Sequence, residues 1–219
     1  MKLQSIKSLT ALTPNERALI QNLKHLGKQP WSTKQRTLIG GFDVTQNIIN
    51  IKRKIADSQL ALLNNACTYC GSKFGIQSDD ELDHFINKAR KPEFTFEIQN
   101  LFVSCHKCNF PTRKGQRKTF WRYNPKYTKC RFKIVHPHFD NVDKHFEYRV
   151  MNNNQNQNQL VITINPLTRK ARKTISFFGL NEPGMVEYRA GQYMQQNFTD
   201  PTIHGLIFNQ ILLNEYYTV

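Results

Sequence analysis

Hydrophobic positions recur at helical spacing in several stretches of this chain and contract to short strand-like runs in between. Thr13-Pro14-Asn15-Glu16 opens the first helix: a capping threonine, proline at the first helical position and a glutamate three residues past the cap. Ala18, Leu19, Leu23 and Leu26 follow at helical intervals, and Gly27 is placed to end the element. Gly40-Gly41 breaks the chain. A second helix is expected from Thr45 or Gln46, with Ile48, Ile51, Ile55 and Leu62 on one face and Lys52, Arg53 and Lys54 exposed. Further on, Lys129–Val135 alternates weakly and Leu160–Ile164 (LVITI) is a β-branched run of strand length. Residues 143–151 are its candidate partner, across the polar low-complexity stretch Asn152–Gln159. The last third is helical again. Leu167–Phe178 turns Ala171, Ile175 and Phe178 inward, with Gly179 as C-cap. Asn181-Glu182-Pro183 caps a helix carrying Met185, Val186, Tyr188, Tyr193 and Met194, and Asp200-Pro201 opens one with Ile203, Leu206, Ile207 and Ile211. No internal repeat is visible.

Composition makes this an ordinary globular chain with an unusual charge. The 219 residues are 39% hydrophobic, enough for a core, and no apolar run reaches the roughly 18–20 residues of a membrane span. The net charge is +15, and it is unevenly placed. Ten Lys or Arg and no acidic residue fall between Ile98 and Phe139; residues 1–54 carry ten basic residues against Glu16 and Asp43. Such a field attracts polyanions, nucleic acid first among them. No helix with a Lys/Arg face opposite Trp or Phe argues for a membrane surface. MKLQSIKSLTALTPNER has no secretory apolar region. The expected setting is a reducing cytoplasm, where paired cysteines hold metal rather than form disulfides.

The cysteines supply the first chemistry. Cys67/Cys70 and Cys105/Cys108 are two CxxC pairs, each able to chelate from a tight knuckle, together completing a tetrahedral four-thiolate zinc site. Four thiolates leave no open position, so this zinc is structural. The 34 residues between Cys70 and Cys105 exceed the usual 15–20 of a zinc ribbon, so something is inserted between the knuckles. Cys130 is unpaired and reads as a core residue.

The insert carries the second. Glu81–Phe85 has the look of a short strand, on which Asp83 and His84 point to opposite sides unless a turn follows at once. A neutral histidine suits the role of general base near pH 7, and Asp83 and Asn109 are oxygen donors of the kind Mg2+ prefers. Asn109 falls where the second knuckle should turn into a helix. An Asp-His dipeptide alone is common; inside a split four-cysteine module it is more specific. His136, His138 and His145 could form another metal site, with surface or core roles the plainer reading, and His106 inside the knuckle faces solvent or phosphate. Thr119–Tyr127 (TFWRYNPKY) either stacks on bases or closes the core around the zinc.

In order, CxxC, Asp83-His84, Asn100 opening a strand (Asn100-Leu101-Phe102-Val103), and CxxCN with a basic tail resemble the HNH endonucleases, the ββα-metal or His-Me finger fold. The likeness is to the zinc-stapled branch whose last histidine is replaced by asparagine, and it covers roughly residues 64–118; the long run Phe85–Glu97 departs from it. The resemblance implies His84 as general base, Asp83 and Asn109 holding one divalent Mg2+ or Mn2+, and Asn100 bracing the loop and the His84 ring. It implies phosphate contacts from Arg113 and Lys114, and from Arg117 and Lys118 further along the basic tail. A weaker likeness, in HPHFD at 136–140, His145 and ARKTISFFGLN at 171–181, is to the PtuB-like HNH proteins of bacterial Septu and retron anti-phage systems. That likeness implies a PtuA-like partner ATPase, in some systems a reverse transcriptase with its RNA–DNA product, and a docking role for the C-terminal helices.

The expectation is therefore an α+β protein: a basic helical segment over 1–50, a zinc-stapled HNH core over 51–133, and a C-terminal extension of a short hairpin and helices over 134–219. The expected activity is metal-dependent cleavage of DNA, in the role of a defence effector. The competing reading is a zinc-ribbon nucleic-acid-binding or adaptor protein without catalysis.

Overall fold

The computed structural model describes residues 3–75, 80–153 and 159–197. The expected helix opening at Asp200-Pro201 and the centre of the polar stretch at 154–158 lie outside the described residues. The architecture is mixed: five α-helices and four separate two-stranded antiparallel sheets among the described residues.

Helix α1 (Pro14–Lys24) has both arms of the capping box, the Thr13 side chain accepting from Glu16 N–H while Glu16 reaches back to Thr13 N–H. It buries Ile20 and Leu23, whereas Ala18 and Leu26 stay exposed, so the inward face is rotated from the expected one. Gly40 and Gly41, both left-handed, turn the two-residue strands β1 (Leu38–Ile39) and β2 (Phe42–Asp43) into a hairpin. Helix α2 (Thr45–Leu62) buries Ile48, Ile51 and Ile55 as its spacing requires. Its last inward position is taken by Gln59 rather than Leu62, which is exposed.

Gln59 is inward because the sheet needs it. Strands β3 (Asp80–His84) and β4 (Leu101–Cys105) pair antiparallel, Asp80 opposite Cys105 and His84 opposite Leu101. The other edge of β4 is buried, and buried backbone groups must find partners. The Gln59 side chain accepts from Val103 N–H at 2.9 Å and donates to the Leu101 carbonyl at 2.8 Å; Thr68 N–H takes the Val103 carbonyl at 3.0 Å. A leucine at 59 would strand two of these groups. After β4 comes a single helical turn, α3 (His106–Asn109), which completes strand–strand–helix around the cysteines.

Beyond it, β5 (Phe120–Arg122) pairs β6 (Arg131–Phe132), far less than the strand expected over 129–135. The expected hairpin is present as β7 (Phe146–Asn153) and β8 (Gln159–Pro166), in register from Phe146↔Pro166 to Asn153↔Gln159. Helix α4 (Arg169–Phe178) is capped by the Thr168 side chain and closed by left-handed Gly179, and α5 (Pro183–Asn197) lies against β8.

Two buried clusters flank the β3–β4 hairpin. One gathers Phe85, Phe102, Phe132, Tyr127 and the cysteines with residues as distant as Ile6 and Phe178; the other gathers α1, α2, Trp31, Phe96 and Leu101. Of the aromatic-basic stretch, Phe120 and Tyr127 enter the core and Trp121 stands outside. His136 is fully buried among Phe85, Phe132 and Phe139 and shares a hydrogen bond with Tyr127 OH at 2.9 Å. His138 Nδ1 bonds the Ile6 carbonyl and His145 Nδ1 the Thr168 hydroxyl, so this trio clasps the N-terminal segment and α4 to the core. Cys130 is likewise a core residue, its sulfur accepting from Asn124 N–H.

Candidate active site and metal centre

The first knuckle is a tight turn. Gly71 N–H donates to the Cys67 carbonyl and Cys67 N–H to the Ser72 carbonyl, with Gly71 at φ +73. The second starts at the end of β4, where Cys105 leads into α3 and Cys108 is its third residue. All four sulfurs lie within 4.8 Å of one another, and Cys70 Sγ to Cys105 Sγ is 3.8 Å. Metal–sulfur bonds of about 2.3 Å at tetrahedral angles put sulfurs about 3.8 Å apart, so the group fits zinc by size and donor type. Burial pushes the Cys67 thiol well up while hydrogen bonds from Cys105, Cys108 and Cys67 hold Cys70 well down. Thiols at this spacing share charge that a dication would neutralise.

On β3 the side chains alternate. Glu81 and Asp83 share one face, and Leu82 and His84 the other. Asp83 is buried: Tyr69 OH donates to Oδ2 at 2.7 Å and Lys114 Nζ to Oδ1 at 2.9 Å. Lys114 has no exposed surface, so the second cation of the basic tail turns inward to this carboxylate. Two residues back, Glu81 accepts from Asn109 Nδ2 at 2.7 Å and meets His106 Nδ1 at 2.6 Å, next to a cleft of about 920 Å3 that opens towards Met185 and Tyr188 of α5. Asn109 therefore reaches the β3 face that carries Asp83, with Glu81 as its direct partner. Glu81, Asp83 and Asn109 each offer oxygen donors of the hard kind that divalent Mg2+ or Mn2+ takes, with both Asp83 oxygens engaged by Tyr69 and Lys114.

His84 faces the other way. Its ring meets Trp31 edge-on at 4.3 Å between centroids, and Nε2 lies 3.0 Å from the Thr95 carbonyl. A carbonyl only accepts, so Nε2 carries the proton and Nδ1 keeps the lone pair. Burial holds the imidazole well below its ordinary pKa, helped by the charge of Lys88, opposed by the hydrogen bond to the Thr95 carbonyl, and helped less by Lys114 and Lys52. The ring stays neutral.

Asn100 is the brace of the region. Fully buried, its Oδ1 accepts from Ile86 N–H at 2.6 Å and Tyr127 OH at 3.0 Å, while Nδ2 donates to the Ile86 and Phe94 carbonyls at 3.0 Å. One amide thus ties the turn after His84 to the segment that presents Thr95. The long run 85–97 is held as structure through Phe94, Thr95 and Phe96, all buried.

The other basic residues of the tail are spread out. Arg113 pairs with Glu182 ahead of α5, and Arg117 donates to the Phe177 carbonyl at 3.0 Å and stacks on the Phe177 ring. Lys118 lies over Phe120 and borders an open cleft. Reasoning from sequence missed Glu81, Tyr69, Thr95, Trp31 and Lys88. Of these only Glu81 left a signal, standing two residues before Asp83 on a strand. Trp31 arrives from a distant part of the chain, and Tyr69 sits inside the first knuckle, where the neighbouring cysteines mask it.

Among the described residues no helix is long and apolar enough to cross a membrane. A search of curated proteins finds none that matches this chain. The family model of the HNH endonuclease matches residues 67–116, the span from the first knuckle to the basic tail: this stretch matches as an HNH endonuclease domain and contains the cluster of four cysteines that could hold a metal ion.

Proposed function

We propose that this chain is a metal-dependent endonuclease that hydrolyses DNA phosphodiester bonds, with His84 as general base. The observation that carries the reading is the state of His84 inside the HNH span: neutral, with Nε2–H fixed on the Thr95 carbonyl and the lone pair left on Nδ1. In the reaction the oxygen of a water molecule bonds to phosphorus, its proton passes to Nδ1, and the bond from phosphorus to the leaving sugar oxygen breaks. Thr95 steadies the resulting imidazolium, and Asn100 holds Thr95 in place through Phe94. Asp83 and Asn109, with Glu81 beside them, would hold Mg2+ or Mn2+, which when bound offsets charge on the scissile phosphate and the leaving oxygen. Asp83 and His84 leave β3 on opposite faces, yet Lys114 sits on Asp83 and its charge reaches His84 together with that of Lys88. Lys88, half-buried, is placed to meet phosphate.

The four-cysteine cluster holds structural zinc in this reading. The finer assignment, a defence effector of PtuB-like type working with a PtuA-like ATPase in the cytoplasm, has as its support the sequence likeness of 136–140, His145 and 171–181. Plasmid DNA incubated with the protein and Mg2+ or Mn2+, with and without such an ATPase, tests the whole. Cleavage should require the added cation and fall about 10²–10⁴-fold in His84→Ala at unchanged zinc content. Undiminished cleavage by that variant overturns the assignment of the base. DNA binding without cleavage in every arm favours the non-catalytic zinc-ribbon reading.

A further inference from the structure

On the side of the domain where the basic tail leaves the second knuckle, an open cleft of about 760 Å3 lies between that tail and α4. One wall is Arg117 and Lys118, joined by Arg90 from the turn after His84, whose guanidinium donates to the Gln116 carbonyl. The facing wall is α4. Arg169, Arg172, Lys173 and Ser176 stand at i, i+3, i+4 and i+7, one face of the helix, opposite the buried Ala171, Thr174 and Phe178. Between the walls rises the β5–β6 hairpin with Trp121 and Lys133. None of the described lining residues is acidic.

Two features separate this cleft from an ordinary solvated basic face. Its cations converge from four segments of the chain, so their mutual repulsion is built into the fold and a polyanion relieves it. At its centre Trp121 is 55% exposed, with Lys173 Nζ 3.7 Å and Lys133 Nζ 5.0 Å from the ring centroids. An exposed indole with ammonium groups over its ring offers what a nucleotide needs once the lysines swing from the ring to phosphate: a flat face for the base and cations for the phosphates beside it. A paired base keeps its faces stacked inside the duplex and has none to give. An acidic protein surface would meet the charges but leave the indole uncovered.

We propose that this cleft binds an unpaired stretch of nucleic acid, one base stacked on Trp121 and the flanking phosphates held by the α4 face and by Arg117 and Lys118. The inference rests on the nuclease reading only in making this strand the substrate; binding itself does not depend on it.

Fluorescence anisotropy with a labelled short oligothymidine and a labelled duplex of the same length, without added divalent cation, tests it. Trp121→Ala should weaken oligothymidine binding about 5- to 150-fold, the loss expected for one stacked base, and duplex binding less than about twofold. Trp121→Phe should recover most of the loss. Arg172→Glu with Lys173→Glu should weaken both ligands. It should also flatten the salt dependence by about 0.7 in log–log slope for each phosphate of the single strand that is no longer neutralised. Oligothymidine binding unchanged in Trp121→Ala, or an equal loss for both ligands, overturns the proposal. Selective single-strand binding beside a failure to cleave with any metal would uphold the cleft and overturn the hydrolytic reading alone.

Discussion

Replacing Lys114 by methionine probes the fold and the site at once. Its ammonium is fully buried and sits 2.9 Å from the Asp83 carboxylate, itself 5% exposed. Lys114→Met keeps the unbranched apolar stem but not the ammonium, and leaves Asp83 with one donor, Tyr69 OH. Removing one partner of a buried ion pair costs about 3–5 kcal/mol, because the remaining charge stays desolvated and unmatched. For a chain of this size about 1 kcal/mol moves the melting temperature by about 2–4 °C, so the expected drop is about 6–20 °C. Asp83→Asn combined with Lys114→Met removes the charge mismatch and should regain most of that loss, giving a large coupling in a double-mutant cycle.

Metal adds a second readout. If Asp83 serves a divalent cation, Mn2+ should restabilise Lys114→Met, since a cation replaces the missing ammonium, and should leave the double variant unmoved. Thermal and urea unfolding at constant zinc provide both measurements. A Lys114→Met variant within about 0.5 kcal/mol of the parent would refute the buried-pair argument. A double variant no more stable than the single one would refute it equally.

Cys105→Ser should release the metal and unfold the domain. Zinc-finger peptides gain about 10–16 kcal/mol from such a site, as much as the whole stability of an ordinary domain; zinc content and circular dichroism together check this. Acid should destabilise the protein through His84 and His136, both pushed well below the ordinary histidine value, chiefly by burial. Below about pH 6.5 the unfolded chain takes up protons that the folded state refuses. The stability they contribute is complete above that pH and declines as pH falls towards the lowered folded values, which chemical denaturation across pH 4–8 would follow. By the same shift, the acid limb of the cleavage profile should lie below about 6.5 and not at it.

What the sequence made legible was local. The capping box of α1, the left-handed Gly179 after α4, the knuckle turns and the 146–166 hairpin each depend on residues close along the chain. Spacing exposed them for that reason. The site was legible as a set of residue types, because CxxC pairs and an Asp-His dipeptide announce their chemistry. Their partners were not. Lys114 looks like one more cation of a basic tail until the fold closes it over Asp83, and Arg113 until α5 brings up Glu182. Gln59 breaks the apolar face of α2 because a β4 edge, more than forty residues on, leaves Leu101 and Val103 wanting partners. The same distance effect left Trp121 undecided between base stacking and the core, since its setting is made by α4.

The register of the β3–β4 hairpin links the cysteine cluster to the base. Cys105 pairs opposite Asp80, and His84 stands four residues further along β3, about 14 Å away at strand rise. One end of the hairpin is thus pinned by the four sulfurs and the other by Asn100. A slip of one residue would exchange the faces of Asp83 and His84, sending the imidazole towards Tyr69 and the carboxylate into the apolar niche of Trp31 and Phe96. A five-residue strand pairing with a single partner holds its register weakly by itself. On the nuclease reading, the insertion between the knuckles puts Asp83 and His84 on the very segment whose ends the staple fixes. A metal with no open coordination position would then govern the chemistry from a distance, and its loss should abolish cleavage even where partial helical structure survives.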